Sequence, residues 1–343
     1  VSDDGIVVGT GPYVATELVT DDHLNLVKNE NYWAGDVNID EITVRTISDG
    51  DTLALALQSG EINAAYGMAY ASYPIFENDN FNFTSVQTSR SFYVQMNYAS
   101  PVVKDDAVRE AIAMGIDKES FVNVLLDGYG YVATGAFPDT VEFGGSTLNA
   151  KTYDPEAAKA VLEEAGWKDS DGDGIREKDG QKLNIDLLYN SDSVTEKAIA
   201  EYLQSEYQKI GISLNIHGEE EQSYRDNMKA GNFDMVFNIC WGTPYDPQSS
   251  LAAMRAPVYG DYAAQLGLED KADIDQAITD ILVSTDETKR QELYTFVLTR
   301  LHEDAVYIPL TYECNKAIYR SDLQEFHFTQ TQYEVPFADF YFE

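Results

Sequence analysis

The sequence predicts a two-lobed α/β protein, with mixed sheets flanked by helices and a ligand cleft between the lobes. Three observations carry this expectation. At 343 residues the chain exceeds the size at which a single hydrophobic core stops growing, roughly 250–300 residues. From Asp154 onward, strand-like and helix-like patterns alternate, which favours an α/β sheet with parallel pairs. The two ends of the chain are irregular and strand-rich by contrast. If both ends join one sheet, the centre is a domain inserted into the other. Paired crossing strands then let the lobes close over a ligand.

Each element has its own signal. Gly9-Thr10-Gly11-Pro12-Tyr13 is a turn-rich entry, and residues 24–27 and 39–44 alternate apolar with polar side chains. Asp51 is placed to cap a helix through Leu53, Leu55 and Leu57 that stops before Gly60. Residues 92–96 read as a strand, and helices are expected from about 105 through Met114 and from about 118 to 126. Asp154-Pro155-Glu156 sets a cap, a first-turn proline and an acidic residue in order. The helix they open carries Ala158, Val161, Leu162 and Ala165 on one face and ends at Gly166. Strands over 183–189, 212–216 and 235–239 then alternate with helices over 195–210 and 222–230. Helices near 272–281 and 287–302 and a strand-like tail over 305–318 complete the pattern.

Fifty-nine acidic against 23 basic side chains give a formal charge of −36. Nucleic-acid binding leans on Lys and Arg neutralising phosphates, so that class is excluded, as is a basic patch on anionic lipid. With 44% apolar residues, 23 Tyr and 15 Phe, the chain can fill large cores, and its charge does not mean disorder. No window approaches 18 uninterrupted apolar residues, so no segment reads as a membrane-spanning helix. The two cysteines, Cys240 and Cys314, match no metal spacing, and the sequence leaves open whether they pair. His23, His217, His302 and His327 are scattered, which excludes a His-rich metal site. The run Glu219-Glu220-Glu221 precedes a helix, where negative charge favours the positive dipole end. There is no Gly-x-Ser-x-Gly elbow, no phosphate-cradling Gly loop and no His-Glu-x-x-His helix. A glycoside hydrolase with two carboxylates is the remaining enzyme reading, but 59 acids make any pair imaginable. The chain is read as a non-enzyme.

Several stretches taken together point further. They are Gly9-Thr10-Gly11-Pro12-Tyr13; Asn97 followed by Val108-Arg109-Glu110-Ala111 and Ile116-Asp117-Lys118; and Tyr153-Asp154-Pro155-Glu156-Ala157-Ala158 leading to Ala165-Gly166-Trp167. In this order and spacing they resemble the extracytoplasmic solute-binding proteins of ABC importers, in the peptide/nickel-binding family (family 5). The resemblance implies a type II periplasmic-binding-protein-like fold and a monomer that delivers its ligand to a membrane permease. It implies an extracytoplasmic location, with a lipid anchor in the full-length protein. It also implies that roughly the first third of a full-length relative precedes Val1. Residues 1–88 and 318–343 would then be the remainder of lobe one, and 89–317 lobe two with the hinge strands.

Within that family, Trp241-Gly242-Thr243-Pro244-Tyr245-Asp246-Pro247 resembles the nickel-binding branch. The stretch follows the strand at 235–239, at a carboxyl end where α/β clefts bind ligands. Relatives of this branch take the metal as a complex with small organic chelators. By that resemblance Trp241 and Tyr245 line the pocket through stacking and hydrogen bonding, and Tyr333 stands near the chelator's carboxylate. The alternative for Trp241 and Tyr245 is plain aromatic packing. One departure matters: where the nickel binder touches metal with a His, this sequence has Tyr259. A phenol hydrogen-bonds a chelate but is a poor ligand for Ni(II), which prefers imidazole nitrogen. Asp246 is the pivot between substrate classes, because peptide-binding relatives place an Asp in this region to pair with a peptide's amino terminus. Its bland role is to cap the turn before Pro247. Arg90, expected just before a hinge strand, is the candidate partner for a ligand carboxylate, whereas Arg109 reads as structural. The ligand is therefore a nickel chelate, another metal chelate or a short peptide. Nickel enters only as part of that ligand, and no resident cofactor is expected.

Residues 169–180 copy the first half of an EF-hand loop, with Asp169, Asp171 and Asp173 at alternate positions and Gly174 sixth. Structural calcium at these three aspartates is the functional expectation. Gly180 stands where a bidentate Glu is needed and Lys178 adds positive charge, so a solvated acidic turn is the rival.

Overall fold

A computed structural model of the chain describes residues 9–68, 70–144, 151–240, 247–329, 331 and 334–343. It divides into two compact units, Val1–Gln87 with Cys314–Glu343, and Thr88–Glu313.

The first unit opens with β1 (Tyr13–Val19), β2 (His23–Lys28) and β3 (Glu41–Arg45), an antiparallel sheet in that order. The turn-rich entry thus runs directly into a strand that its glycines hid. Helix α1 (Gly50–Ser59) is capped by Asp49, whose carboxylate accepts from the Thr52 amide at 2.8 Å. The expected cap, Asp51, lies in the first turn instead, where it meets the positive end of the dipole. Gly60 ends the helix with φ 77°, a conformation that favours glycine. β4 (Ala64–Tyr66) and a 3-10 segment, Tyr70–Phe76, lead into β5 (Phe81–Met96). This 16-residue strand is partly exposed at its start and almost continuously buried from Thr88. Only its buried end carries the run of apolar side chains that residues 92–96 announce.

The second unit continues with α2 (Asp106–Met114), capped by Asp105, and α3 (Lys118–Ser120), which passes into a π turn over Phe121–Leu125. A single regular helix was expected there. Next come β6 (Tyr131–Val132), α4 (Pro155–Glu164) and the short hairpin of β7 (Glu177–Lys178) and β8 (Gln181–Lys182). Asp154 caps α4 as its sequence predicts, accepting from the Ala157 amide at 2.8 Å. The α/β run follows: β9 (Asn184–Asn190), α5 (Val194–Gln208), β10 (Ser213–Glu219), α6 (Glu221–Ala230) and β11 (Met235–Ile239). Then come α7 (Gln248–Met254), α8 (Gly260–Ala264), α9 (Lys271–Val283), α10 (Glu287–Glu303) and β12 (Tyr307–Arg320).

The sheet of this unit has the order β10-β9-β11-β5-β12, with β6 beside β12. β9 runs parallel to both β10 and β11, as the alternation predicts, while β11 is antiparallel to β5. Ile185 and Leu187 of β9 are fully buried, and α5 covers this part of the sheet with Ile199, Leu203 and Tyr207. Each such aliphatic side chain removed from water contributes about 1.5–3 kcal/mol. A second core gathers Leu251, Ile274, Ile278, Tyr294, Val297 and Leu301 from α7, α9 and α10.

Back in the first unit, β12 pairs with β4 through Ala317 and Tyr66, and β13 (Leu323–Gln324) pairs with β14 (Tyr341–Phe342). Phe326, Phe328, Phe340 and Leu323 form the core here, and a cavity of about 390 Å³ opens beside it. Among the described residues no helix is long and apolar enough to cross a membrane.

Candidate ligand site

Of the residues singled out for ligand contact, Trp241, Tyr245, Asp246 and Tyr333 lie outside the described residues. The frame that leads to Trp241 is described. β11 pairs in register with β5, Ile239 opposite Phe92 and Met235 opposite Met96. The next residue, Cys240, is buried, and its amide donates to the Ser91 carbonyl at 3.0 Å. Its sulfur accepts from the Ser91 amide at 3.0 Å. Burial pushes the Cys240 thiol up from its ordinary range, so it stays a neutral thiol. Neither Cys240 nor Cys314 is in a disulfide, which answers the pairing that the sequence left open.

Arg90 sits inside β5 rather than ahead of a strand, because β5 begins at Phe81. Its Nε donates to the Cys240 carbonyl at 3.4 Å, and its terminal nitrogen lies 3.7 Å from the Glu313 carboxylate. A half-buried guanidinium is thus held against the residue that immediately precedes Trp241. Arg109 is structural, as read: its nitrogens donate to the carbonyls of Asp304, Val103 and Lys104, and it stacks 3.9 Å over the Tyr98 ring.

The carboxyl ends of β9 and β10 carry acids that the sequence reading did not single out. Asn190 closes β9; its amide donates to Glu196 at 2.8 Å and its side chain to Glu221 at 2.6 Å. Burial, with Glu221 and Glu313 nearby, pushes the Glu196 carboxyl up to about 7. The signal available beforehand was the capping pair Ser193 and Glu196 at the start of α5.

Tyr259 precedes α8 and is 40% exposed, with an extended backbone of φ −115° and ψ 149°. Behind it lies a buried polar network. Asp261 is only 7% exposed and accepts from the Tyr93 hydroxyl at 3.3 Å. Tyr307 and Asn238 also hydrogen-bond to it. Gln95 donates to the Gly260 carbonyl at 2.9 Å and accepts from Asn238 at 2.8 Å. Gln265 donates to the Tyr307 hydroxyl at 2.7 Å. Desolvation pushes the Asp261 carboxyl up to about 6, against these hydrogen bonds.

The aspartate-rich loop differs from expectation. Asp169, Asp171 and Glu177, not Asp169, Asp171 and Asp173, place carboxylate oxygens within 4.8 Å of one another. The Lys182 ammonium lies 2.8 Å from Asp171 and 2.6 Å from Asp173. Asp169 accepts from the amides of Gly172 and Gly174, as a turn-forming Asp does. The loop therefore carries its own cation. His23, His217 and His327 each pair with an exposed carboxylate, away from this loop in sequence.

The described groups near the end of β11 are a positioned guanidinium, Arg90, and the carboxylate of Glu313 that it faces. Residues 2–261 match the family described as bacterial extracellular solute-binding proteins, family 5 middle region. The chain belongs to that family. The nickel-binding periplasmic protein of Escherichia coli strain K12 is 36% identical over 335 residues, covering 96% of this chain and 64% of that protein. The chain thus spans less than two thirds of the length of this relative. The oligopeptide-binding protein AppA of Bacillus subtilis strain 168 is 27% identical over 337 residues, 94% of this chain and 59% of that protein. Among solved structures, NikA from Brucella suis in complex with Fe(III)-EDTA has a TM-score of 0.94 and 38% identity. It covers 100% of this chain, which covers 70% of it. The two-lobed α/β fold class expected from the sequence is that of this family.

Proposed function

We propose that this chain is the greater part of a solute-binding component of an ABC importer, one that captures a nickel–chelator complex outside the cytoplasm. The observation that carries this reading is the likeness to the nickel-binding protein of E. coli, sustained over 96% of the chain. A structure holding an iron chelate, with a TM-score of 0.94, supports the idea that the ligand is a metal wrapped in an organic acid. The protein acts as a monomer, is lipid-anchored when full length, and hands its ligand to a membrane permease. No bond is made or broken; only differential affinity of one conformation for the ligand is required. Trp241 and Tyr245 stack on the chelator, Tyr333 and Arg90 meet its carboxylates, and Tyr259 hydrogen-bonds the shell. Ni(II) prefers imidazole nitrogen to a phenol, so the chelator and not Tyr259 supplies the metal's donors.

A peptide is the second reading, favoured by Asp246 and by the 27% identity to an oligopeptide-binding protein. Calorimetric titration of the full-length protein with Ni(II)–L-histidine, Fe(III)–EDTA, Ni(II) alone and a dipeptide mixture separates the two. Heat from either chelate, little from bare Ni(II), and its loss in Trp241→Ala and Tyr245→Ala is the expected result. Tight dipeptide binding with silence toward both chelates would transfer the protein to the peptide class.

A further inference from the structure

The segment that carries Tyr259 has little reason to hold its place unaided. α8 is five residues long, and helices this short do not persist alone in water. Its first residue follows Tyr259 with no side-chain cap. Ala263 and Ala264 pack its later residues into an apolar core, and a buried polar network within the second unit holds Gly260, Asp261 and Gln265. Strand β5 supplies Tyr93 and Gln95, β11 supplies Asn238, and β12 supplies Tyr307. On α8 and just after it, the groups received are the Gly260 carbonyl, the Asp261 carboxylate and the Gln265 amide. Gln265 donates to the Tyr307 hydroxyl, which leaves that hydroxyl's proton for Asp261. Two phenols therefore converge on one carboxylate, each already ordered by its own packing in an apolar core. From below, Met228 lies against Gly260 so closely that a Cβ there would be 3.1 Å from it.

This arrangement works against stability. A carboxylate is taken out of water, and the Gln265 side-chain oxygen finds no donor among the described residues. What the network delivers is a single position for residues 259–265. Asn238 belongs to it and stands three residues before Trp241, so the segment with Tyr259 and the strand leading to Trp241 share one anchor.

We infer that Asp261 is a positioning residue for ligand binding: accepting from Tyr93 and Tyr307, it fixes Tyr259 relative to the end of β11. The inference rests on the reading of Tyr259 as a chelate contact. The test combines amide hydrogen exchange on the ligand-free full-length protein with affinities for Ni(II)–L-histidine and Fe(III)–EDTA. Asp261→Ala should speed exchange across 259–265 and weaken whichever chelate binds by about tenfold, the equivalent of one ordinary hydrogen-bonded anchor. Asp261→Asn keeps an oxygen for Tyr93 and should return both readouts to near wild type. Tyr93→Phe, which keeps the fold's carboxylate and removes one donor, should loosen 259–265 in the same direction. Leu162→Ala, a core truncation in α4, lowers stability without touching the network and should leave both readouts unmoved. Unchanged exchange at 259–265 in Asp261→Ala, or loosening there with undiminished chelate affinity, overturns the inference. So does equal loss of affinity in Leu162→Ala, which reduces Asp261 to a generic stabiliser. Wild type that binds neither chelate defeats the functional reading, and the exchange data then decide the anchoring by themselves.

Discussion

The carboxylates of the 169–182 loop and the carboxylate of Asp261 belong to the same unit, and they meet opposite surroundings. In the loop, Asp171 and Asp173 keep 58% and 52% of their side-chain surface in water while touching the Lys182 ammonium. That lysine, and then the Ile175 backbone amide, hold the Asp173 carboxyl below its ordinary range. Asp261 has phenols and amides for neighbours, almost no water, and a carboxyl raised instead. The loop looked like the chemically rich motif in the sequence, whereas Asp261 stood in an unremarked Gly260-Asp261-Tyr262. With 59 acids in the chain, residue type says little. Dehydration is what makes one of them consequential.

That contrast can be broken most decisively by pH. Asp261 has its folded-state value raised to about 6 from 3.8. The native state therefore holds this proton more tightly than the unfolded chain does. The resulting stability is fully present below pH 3.8 and is lost as pH rises through about 6, a change of about 3 kcal/mol. Asp261→Asn should remove this decline, measured as the difference between the two urea-unfolding free energies from pH 4 to 8. A decline that persists in the variant would mean that Asp261 is solvated after all.

Asp105 is the intermediate case, and its sign is reversed. Burial works to raise its carboxyl, but hydrogen bonds from Lys178 and Trp167 outweigh burial and lower it. Its contribution is present at neutral pH and lost as pH falls through the lowered value. Asp105→Ala removes the cap of α2 and should cost about 1 kcal/mol at pH 7, with a smaller gap at pH 3. The smallest effect belongs to the loop. Lys182→Met should leave the Tm of the protein nearly unchanged, since exposed ion pairs contribute little. Calcium should not raise the wild-type Tm, because Lys182 already neutralises Asp171 and Asp173. A calcium-dependent rise would restore the loop as a cation site, with Asp169, Asp171 and Glu177 the carboxylates close enough to share an ion.

How far the sequence could be read follows the same division between local and tertiary causes. Asp154 and its following proline fixed the start of α4, and Gly60 the end of α1, because caps and left-handed glycines act within a few residues. The α/β run from 184 to 239 was legible from periodicity, including its parallel pairs. The helices α7 and α8 were not, being seven and five residues long and placed by contacts with other elements. The exposed beginning of β5 was missed for a related reason: its residues alternate too weakly to announce a strand. At the candidate site, the family resemblance singled out aromatic residues in Gly/Pro-rich stretches. It was silent about Asp261, Glu196 and Glu313, whose character comes from neighbours distant in sequence.

The buried Cys240 thiol turns this part of the molecule into a clock. Its sulfur is sealed by Ser91 at the end of β11, whereas Cys314 is only half-buried. A small thiol reagent reaches Cys240 only when the strand end opens, so its labelling rate reports how often that opening occurs. Ligand that steadies the end of β11 should slow Cys240 and leave Cys314 at its own pace. A stopwatch and a thiol reagent would then record occupancy of the site with no metal, colour or label on the ligand.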